Sequence, residues 1–301
     1  MNRVLVIRHG ALGDFVQSFG PFAAVRAHHP EAQVGLLTTA PFADLARRSP
    51  WFDMVLVDNR PSWWHVRGTL RLAAMLRGWD MVYDLQTSSR SSRYFWLAGR
   101  PPFSGVARGA SHPHANPTRN LMHTRERQRD QLRMAGIIDL PRPDLSWLTR
   151  GPVPELPAPY ALLVPGAAPH RPRKRWPVER FAALARRLLA RGITPVVIGT
   201  AREQPLAAEI HAAAPRAVDL TGSTSIPDLA AIAARAKLAI GNDTGPMHLA
   251  AAVGCPCVVL FSDESDPKLT APRMPDGSWP TILFASDLSE LPVEKVAAAV
   301  P

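Results

Sequence analysis

Three short strings in this 301-residue chain combine residue types that bind anions or move protons. The first, Gly10-Ala11-Leu12-Gly13-Asp14, lies between the apolar run 4–7 and an amphipathic stretch. Glycines let a backbone approach a ligand closely, and the start of a helix presents free N–H groups. Asp14 either takes a proton from a sugar or other hydroxyl as a general base or caps a helix beginning at Phe15, and the spacing alone serves both. The glycines stand three apart with no third in register, so this is not the dinucleotide fingerprint.

The second string is Gly166-Ala167-Ala168, followed by His170-Arg171-Pro172-Arg173-Lys174-Arg175-Trp176-Pro177. Small residues leave room for a phosphate, and fixed cations act most strongly on negative charge that grows as a glycosyl–phosphate bond breaks. A solvated basic turn before a helix is the plainer alternative. The third string, Asn242-Asp243-Thr244-Gly245-Pro246-Met247-His248, follows the apolar run 238–240. Thr244 suits a helix cap, Gly245 leaves backbone amides open and Pro246 suits the first turn. His248 then falls in that turn, within reach of a diphosphate or a ribose.

These strings need strand ends to hold them. Apolar runs at 4–7, 34–37, 54–57, 81–85 and 103–106 alternate with helical patterns at 15–27, 41–48, 66–76, 91–97 and 125–134. The alternation restarts with strands 161–164, 194–198, 238–240 and 257–261 and helices 178–191, 203–213, 226–234, 247–253 and 291–300. That is the pattern of βαβ units around parallel sheets. Prolines 141, 143, 152, 154, 157 and 159 read as a linker. Two α/β domains follow, residues 1–150 and 151–301, with ligands expected outside the carboxyl ends of the strands, in a cleft between the two sheets. The loop 110–122 reads as irregular, and its His112 and His114 have no neighbouring acid or cysteine that would suggest a metal site.

The net charge of +10 is unevenly distributed. Residues 1–150 hold 20 Arg, no Lys and 11 acids, and residues 60–133 hold 13 Arg against Asp80, Asp84, Glu126 and Asp130. An arginine excess of this kind suits a polyanion: nucleic acid, anionic lipid or a phosphorylated substrate. Use of Arg in place of Lys by a GC-rich genome would also produce it. Cys255 and Cys257 lie in an apolar run and suggest neither a disulfide framework nor zinc. No run approaches the roughly 18 apolar residues of a membrane span, and Met1-Asn2-Arg3 leads directly into a strand pattern, so a cytoplasmic location is expected.

Taken in order, Gly-Ala-Leu-Gly-Asp, then Lys174-Arg175-Trp176-Pro177 before Glu179-Arg180-Phe181, then Asn242-Asp243-Thr244-Gly245-Pro246-Met247-His248-Leu249-Ala250, strongly resemble glycosyltransferase family 9, the ADP-heptose:lipopolysaccharide heptosyltransferases. The resemblance covers nearly the whole chain. It implies a GT-B architecture of two Rossmann-like domains, with the acceptor bound mainly by the first and the sugar nucleotide mainly by the second. It also implies an inverting, metal-independent transfer that uses an ADP-sugar as co-substrate and no cofactor. Asp14 would be the base, Lys174 would hold the diphosphate with Arg175 beside it, and Gly166 and Ala167 would make room. Asp243, Thr244, Gly245 and His248 would surround the diphosphate and ribose, Met247 would pack near the adenine or sugar, and Glu203 is the candidate ribose acid. Gly13, Arg60, Arg90 and Arg93 are the acceptor-side candidates. The chain is short for this family, and its acceptor half has no lysine.

The expected partner is therefore an anionic glycolipid, met by a monomer working peripherally at the inner face of the cytoplasmic membrane. A catalytically silent sugar-nucleotide-binding protein of the same fold is the nearest alternative, against which Asp14 stands. A nucleic-acid-binding module rests on the arginine count alone, because no basic stretch is interleaved with aromatic residues in the manner of an RNA-binding sheet.

Overall fold

The computed structural model describes residues 1–151 and 153–300, so Pro152 of the proline cluster lies outside the described residues. The chain divides into two compact units, Met1–Asp144 and Leu145–Pro301. The first contains strands β1 (Arg3–Ile7), β2 (Gln33–Thr38), β3 (Met54–Val57), β4 (Met81–Asp84), β5 (Phe103–Gly105) and β6 (His112–Pro113). Its helices are α1 (Leu12–Val16), α2 (Phe19–His28), α3 (Ala40–Arg48), α4 (Val66–Leu76), α5 (Ser89–Leu97) and α6 (Thr124–Met134). The second unit opens with α7 (Ser146–Thr149), inside the stretch read as a linker. It then contains β7 (Tyr160–Val164), α8 (Val178–Ala190), β8 (Thr194–Val197), α9 (Gln204–Ala213), β9 (Val218–Asp219) and α10 (Ile226–Arg235). After these come β10 (Leu238–Asn242), α11 (Gly245–Ala252), β11 (Cys257–Phe261), α12 (Pro267–Thr270), β12 (Thr281–Phe284) and α13 (Val293–Ala298).

Each unit holds a six-stranded parallel sheet, in the order β3-β2-β1-β4-β5-β6 and β12-β11-β10-β7-β8-β9 respectively. Counted within its own unit, each order is 3-2-1-4-5-6, the Rossmann arrangement, and the direction of winding reverses between β1 and β4 and between β7 and β10. The α/β, two-Rossmann expectation is met. Strands covered on both faces read as unbroken apolar runs: Val4 through Ile7 and Tyr160 through Val164 are all buried. Leu5, Ile7, Leu37, Leu76, Trp79 and Phe103 anchor the first core; Leu163, Phe181, Leu188, Ile210, Ile240 and Leu260 anchor the second. Cys255 and Cys257 are buried free thiols.

Several expected elements differ in detail. The single helix at 15–27 is two helices, because the carbonyl of Asp14 accepts from Arg8 Nη2 at 2.9 Å and from Ser18 Oγ at 2.9 Å. Side chains inserted there displace the next helical N–H, and Ser18 N turns to Phe15 O instead. The first of the two helices starts at Leu12 and places Asp14 inside its first turn, not at its cap. The loop 110–122 contributes the edge strand β6 and a 3-10 turn, Arg119–Leu121.

Gly241 shows how closely the second sheet packs at its reversal. A Cβ there would meet the Val164 carbonyl oxygen at 2.7 Å and Met247 Sδ at 3.0 Å. Gly241→Ala is therefore expected to cost roughly 1–3 kcal/mol, read as a lower urea midpoint for the second unit. An unchanged midpoint would show that β7 and α11 can part without cost.

Candidate functional site

At the reversal of the second sheet, β7 and β10 run side by side and release the second and third sequence strings at their carboxyl ends. Asn242 joins the two. Its Nδ2 donates to Pro165 O at 2.8 Å, and its Oδ1 accepts from Trp176 N at 3.1 Å. Trp176 is buried and donates through Nε1 to Leu291 O at 2.8 Å, which fixes the end of the basic loop.

That anchoring turns one cation of the basic loop inward. Lys174 Nζ lies 2.6 Å from Asp243 Oδ2, with both side chains buried. Ser265 Oγ donates to the same oxygen at 2.7 Å, and His248 Nε2 stands 3.6 Å from Asp243 Oδ1. Burial pushes the Asp243 carboxyl up, but His248 and Lys174 outweigh it and hold the pKa at about 2. The other cations are spread outward. Arg171 donates to Glu264 O at 3.2 Å, Arg173 lies 3.8 Å from Glu264 Oε1, and exposed Arg175 donates to Ala167 O at 3.2 Å. A lysine has three N–H donors, so Lys174 can hold Asp243 and still reach an anion.

The remaining donor-side candidates gather nearby. Thr244 stands at the N-cap of α11, but its hydroxyl donates back to Asn242 O at 3.1 Å and does not cap the helix. Gly245 opens that helix, His248 is buried in its first turn and Met247 is fully buried against Gly241. Glu203 packs over Gly166 and Gly199, so near that a Cβ on Gly166 would lie 2.9 Å from Glu203 Cγ. Glu203 Oε2 is already occupied by Thr200, whose N and Oγ1 donate at 2.7 and 2.6 Å.

In the first unit the corresponding corner is built around Arg8, the residue that follows β1. Its buried guanidinium donates to Leu85 O at 2.6 Å and holds Asp14 Oδ1 at 3.2 Å. Burial lowers the pKa of Arg8, Asp14 and Asp84 oppose that fall, and Arg127 adds to it. Burial likewise pushes Asp84 up to about 6, against Ser91, the Thr87 and Gln86 amides and Arg8. Asp14 keeps 47% of its side chain exposed, so a held carboxylate faces solvent. Gly10 is required beside it: its φ is +117°, and a Cβ would fall 2.2 Å from Phe42 Cε2. Gly13 is buried within α1.

A second chain of contacts runs outward from the same corner. His9 Nε2 lies 3.2 Å from buried Asp58 Oδ2, which also accepts from Tyr94 Oη, and Asp58 Oδ1 accepts from Arg60 N at 2.7 Å. Burial pushes Asp58 up; His9, Tyr94 and the Arg60 amide hold it below the usual carboxylate range. Arg90 Nε donates to Tyr94 Oη at 2.9 Å, and Arg90 and Arg93 stand 4.6 and 5.3 Å from the Trp63 ring centre. Of the arginines expected on the acceptor side, Arg90 and Arg93 share the Trp63 ring and Arg60 joins Asp58 through its backbone amide, with the Arg60 and Arg93 side chains exposed. His114 binds Asp130 Oδ2 at 2.9 Å, an acid brought in by α6 from sixteen positions away. Among the described residues, no group of three or more His, Cys, Asp or Glu side chains is placed to hold a metal ion.

Sequence reading missed Arg8, His9, Asp58, Tyr94 and Ser265. Arg8 carried a signal, since a cation continuing a buried strand requires counter-charges. Asp58 closes the apolar run of β3 in the same way. Ser265 carried none, because only folding brings it 22 positions back to Asp243.

The Asp243 titration has a defined sign. Its pKa is about 2 in the fold against 3.8 ordinarily, so its stabilising share is complete above about pH 4 and is lost as pH falls through about 2. Lys174→Met should raise that pKa, read by carboxyl-carbon NMR, and cost roughly 3 kcal/mol at neutral pH by removing the nearest counter-charge of a buried carboxylate. An unmoved Asp243 titration would show that Lys174 does not hold it.

Comparison with known proteins places this geometry in a family. The family model described as glycosyltransferase family 9 (heptosyltransferase) matches residues 69–278. The chain is 27% identical over 299 residues to lipopolysaccharide heptosyltransferase 2 of Escherichia coli K12, covering 90% of this chain and 85% of that protein. A stretch of 106 residues is 35% identical to lipooligosaccharide heptosyltransferase 2 of Haemophilus influenzae, covering 34% of this chain and 30% of that protein. The solved structure of the E. coli ADP-heptose lps heptosyltransferase II has the same fold, with a TM-score of 0.78 at 23% identity over 99% of this chain and 97% of that one. The chain belongs to glycosyltransferase family 9 and is a glycosyltransferase.

Proposed function

We propose that this glycosyltransferase moves a heptose, or a related sugar, from an ADP-sugar to a lipopolysaccharide core or a similar anionic glycolipid. Transfer inverts the anomeric centre and uses no metal. The observation that carries this reading is the convergence, at one sheet reversal, of two strings about seventy positions apart, through Asn242–Trp176 and Lys174–Asp243. Both relatives named above are a lipopolysaccharide or a lipooligosaccharide heptosyltransferase, which supports the choice of sugar and acceptor.

In this reading Asp14 takes the proton of the acceptor hydroxyl. Arg8 occupies Oδ1 and leaves Oδ2 to face the incoming oxygen. That oxygen bonds to the anomeric carbon as the carbon–oxygen bond to the diphosphate breaks, and the bonding pair departs on ADP. Lys174 and the amides at the start of α11 meet the charge that appears on the leaving group, where fixed donors contribute most. His248 and Glu203 are assigned to the diphosphate and ribose side, with Oε1 as the free oxygen of Glu203. Arg60, Arg90 and Arg93 are assigned to the anionic acceptor, and their side of the molecule carries nearly all the excess charge. The enzyme then works as a monomer at the inner face of the cytoplasmic membrane.

Asp14→Ala should lower kcat by about 10²–10⁴-fold while ADP affinity stays within twofold of the parent, measured by turnover assay and calorimetry. Turnover at the parental rate would remove Asp14 from the role of base. Lys174→Ala should raise the donor KM and also slow turnover by roughly 10²-fold. A variant with a normal response to donor would place the diphosphate elsewhere.

A further inference from the structure

We propose that the outward faces of α4 and α5, with the loop that carries Trp63 and Trp64, form a docking surface for an anionic lipid bilayer. This rests on the reading of the acceptor as a membrane-held anionic glycolipid and identifies the part of the molecule that meets the membrane.

α4 turns Leu72, Ala73 and Leu76 into the core, which leaves its opposite face for solvent. That face is not polar. Trp64 is 84% exposed, and Val66 and Leu70, one helical turn apart, are each 65% exposed. Exposed Arg67 and Arg71 repeat at the same spacing beside them. On α5, Arg93 and Trp96 are exposed, and the Arg100 guanidinium lies 4.1 Å from the Trp96 ring centre.

The two helices present one continuous surface. Arg90 Nη2 donates to Pro61 O at 2.7 Å at their starts, and Arg77 Nε donates to Leu97 O at 3.3 Å at their ends. No acid occurs between residues 59 and 79 or between 85 and 125. Of the four acids flanking those stretches, Asp58 and Asp84 are buried, Asp80 is turned to the Asn2 and Arg3 amides at the amino end of β1, and exposed Glu126 lies 2.7 Å from His123 Nδ1. Arginine interspersed with tryptophan and branched aliphatic side chains suits the headgroup region, where cations meet lipid phosphate and apolar groups enter the acyl boundary. Exposed Val66 and Leu70 give a nucleic acid nothing to bind, so the lipid surface is favoured over a polynucleotide.

Buried contacts link this surface to the carboxyl end of β1. Arg90 lies against Trp63 and bonds Tyr94, Tyr94 bonds Asp58, and Asp58 faces His9, two residues after β1.

The test is co-sedimentation with phosphatidylglycerol-rich vesicles and with pure phosphatidylcholine vesicles, for the full chain and for two double variants, Trp64→Ala/Leu70→Ser and Arg67→Glu/Arg71→Glu. The parent should partition to the phosphatidylglycerol vesicles and only weakly to phosphatidylcholine. Each double variant should lose about tenfold or more of that partition, with an unchanged melting temperature and unchanged ADP affinity. Equal partition of parent and both variants would overturn the proposal, as would a parent that ignores phosphatidylglycerol or is removed from it only by competing RNA. Sugar transfer by the parent to a detergent-dispersed anionic glycolipid is scored separately, so failure of the acceptor reading is distinguishable from failure of the docking surface.

Discussion

A lysine and an aspartate buried together at a strand reversal impose strict terms on everything around them. Removing either ion from water costs roughly several kcal/mol, and the cost is offset only by close contact and further hydrogen bonds. Lys174 and Asp243 meet both terms, at 2.6 Å and with Ser265 on the shared oxygen. The contact requires the basic loop to return to β10 after leaving β7, and the Asn242 amide secures that return through Trp176 and Pro165. Asp243 stands two residues before the start of α11, so the same contact ties the basic loop to that helix end. A cation so held is already desolvated and oriented, which suits it to a charge that appears only during reaction.

The first unit solves a related problem with arginine. Arg8 is buried between Asp14 and Asp84, and the same guanidinium also binds the Asp14 carbonyl. That second contact interrupts the helix after Val16 and keeps Asp14 in a short, separate turn. The carboxylate is thus fixed at one oxygen and open at the other, an arrangement that a freely rotating surface aspartate would not maintain. Both units therefore bury a cation against a carboxylate in the segment that follows their first strand, Arg8 with Asp14 in one and Lys174 with Asp243 in the other.

Much of this was legible before folding was considered. Strands such as Met54–Val57 and Cys257–Phe261, and the helix Val66–Leu76, follow from apolar runs and a 3.6-residue period alone. The positions of Asp14, Lys174 and Asp243 follow from strings that sit where a strand ends. What was hidden depends on long-range contact. The short edge strands His112–Pro113 and Val218–Asp219 have too few residues for a period, and the break between α1 and α2 needs a partner six positions upstream. Tyr94 reaches Asp58 across 36 positions, and no local pattern announces that. Composition located the arginine excess, but only burial shows which arginines are structural, like Arg8, and which, like Arg67 and Arg71, face outward.

In the proposed function the reversal of the second sheet receives the diphosphate of the donor. Amide hydrogen exchange with and without ADP tests it most directly, because bound phosphate protects the N–H groups it accepts from. Exchange should slow at 166–168 and at 245–248, with little change at 12–16 in the first unit. Protection confined to other segments, or absent at saturating ADP, would contradict it.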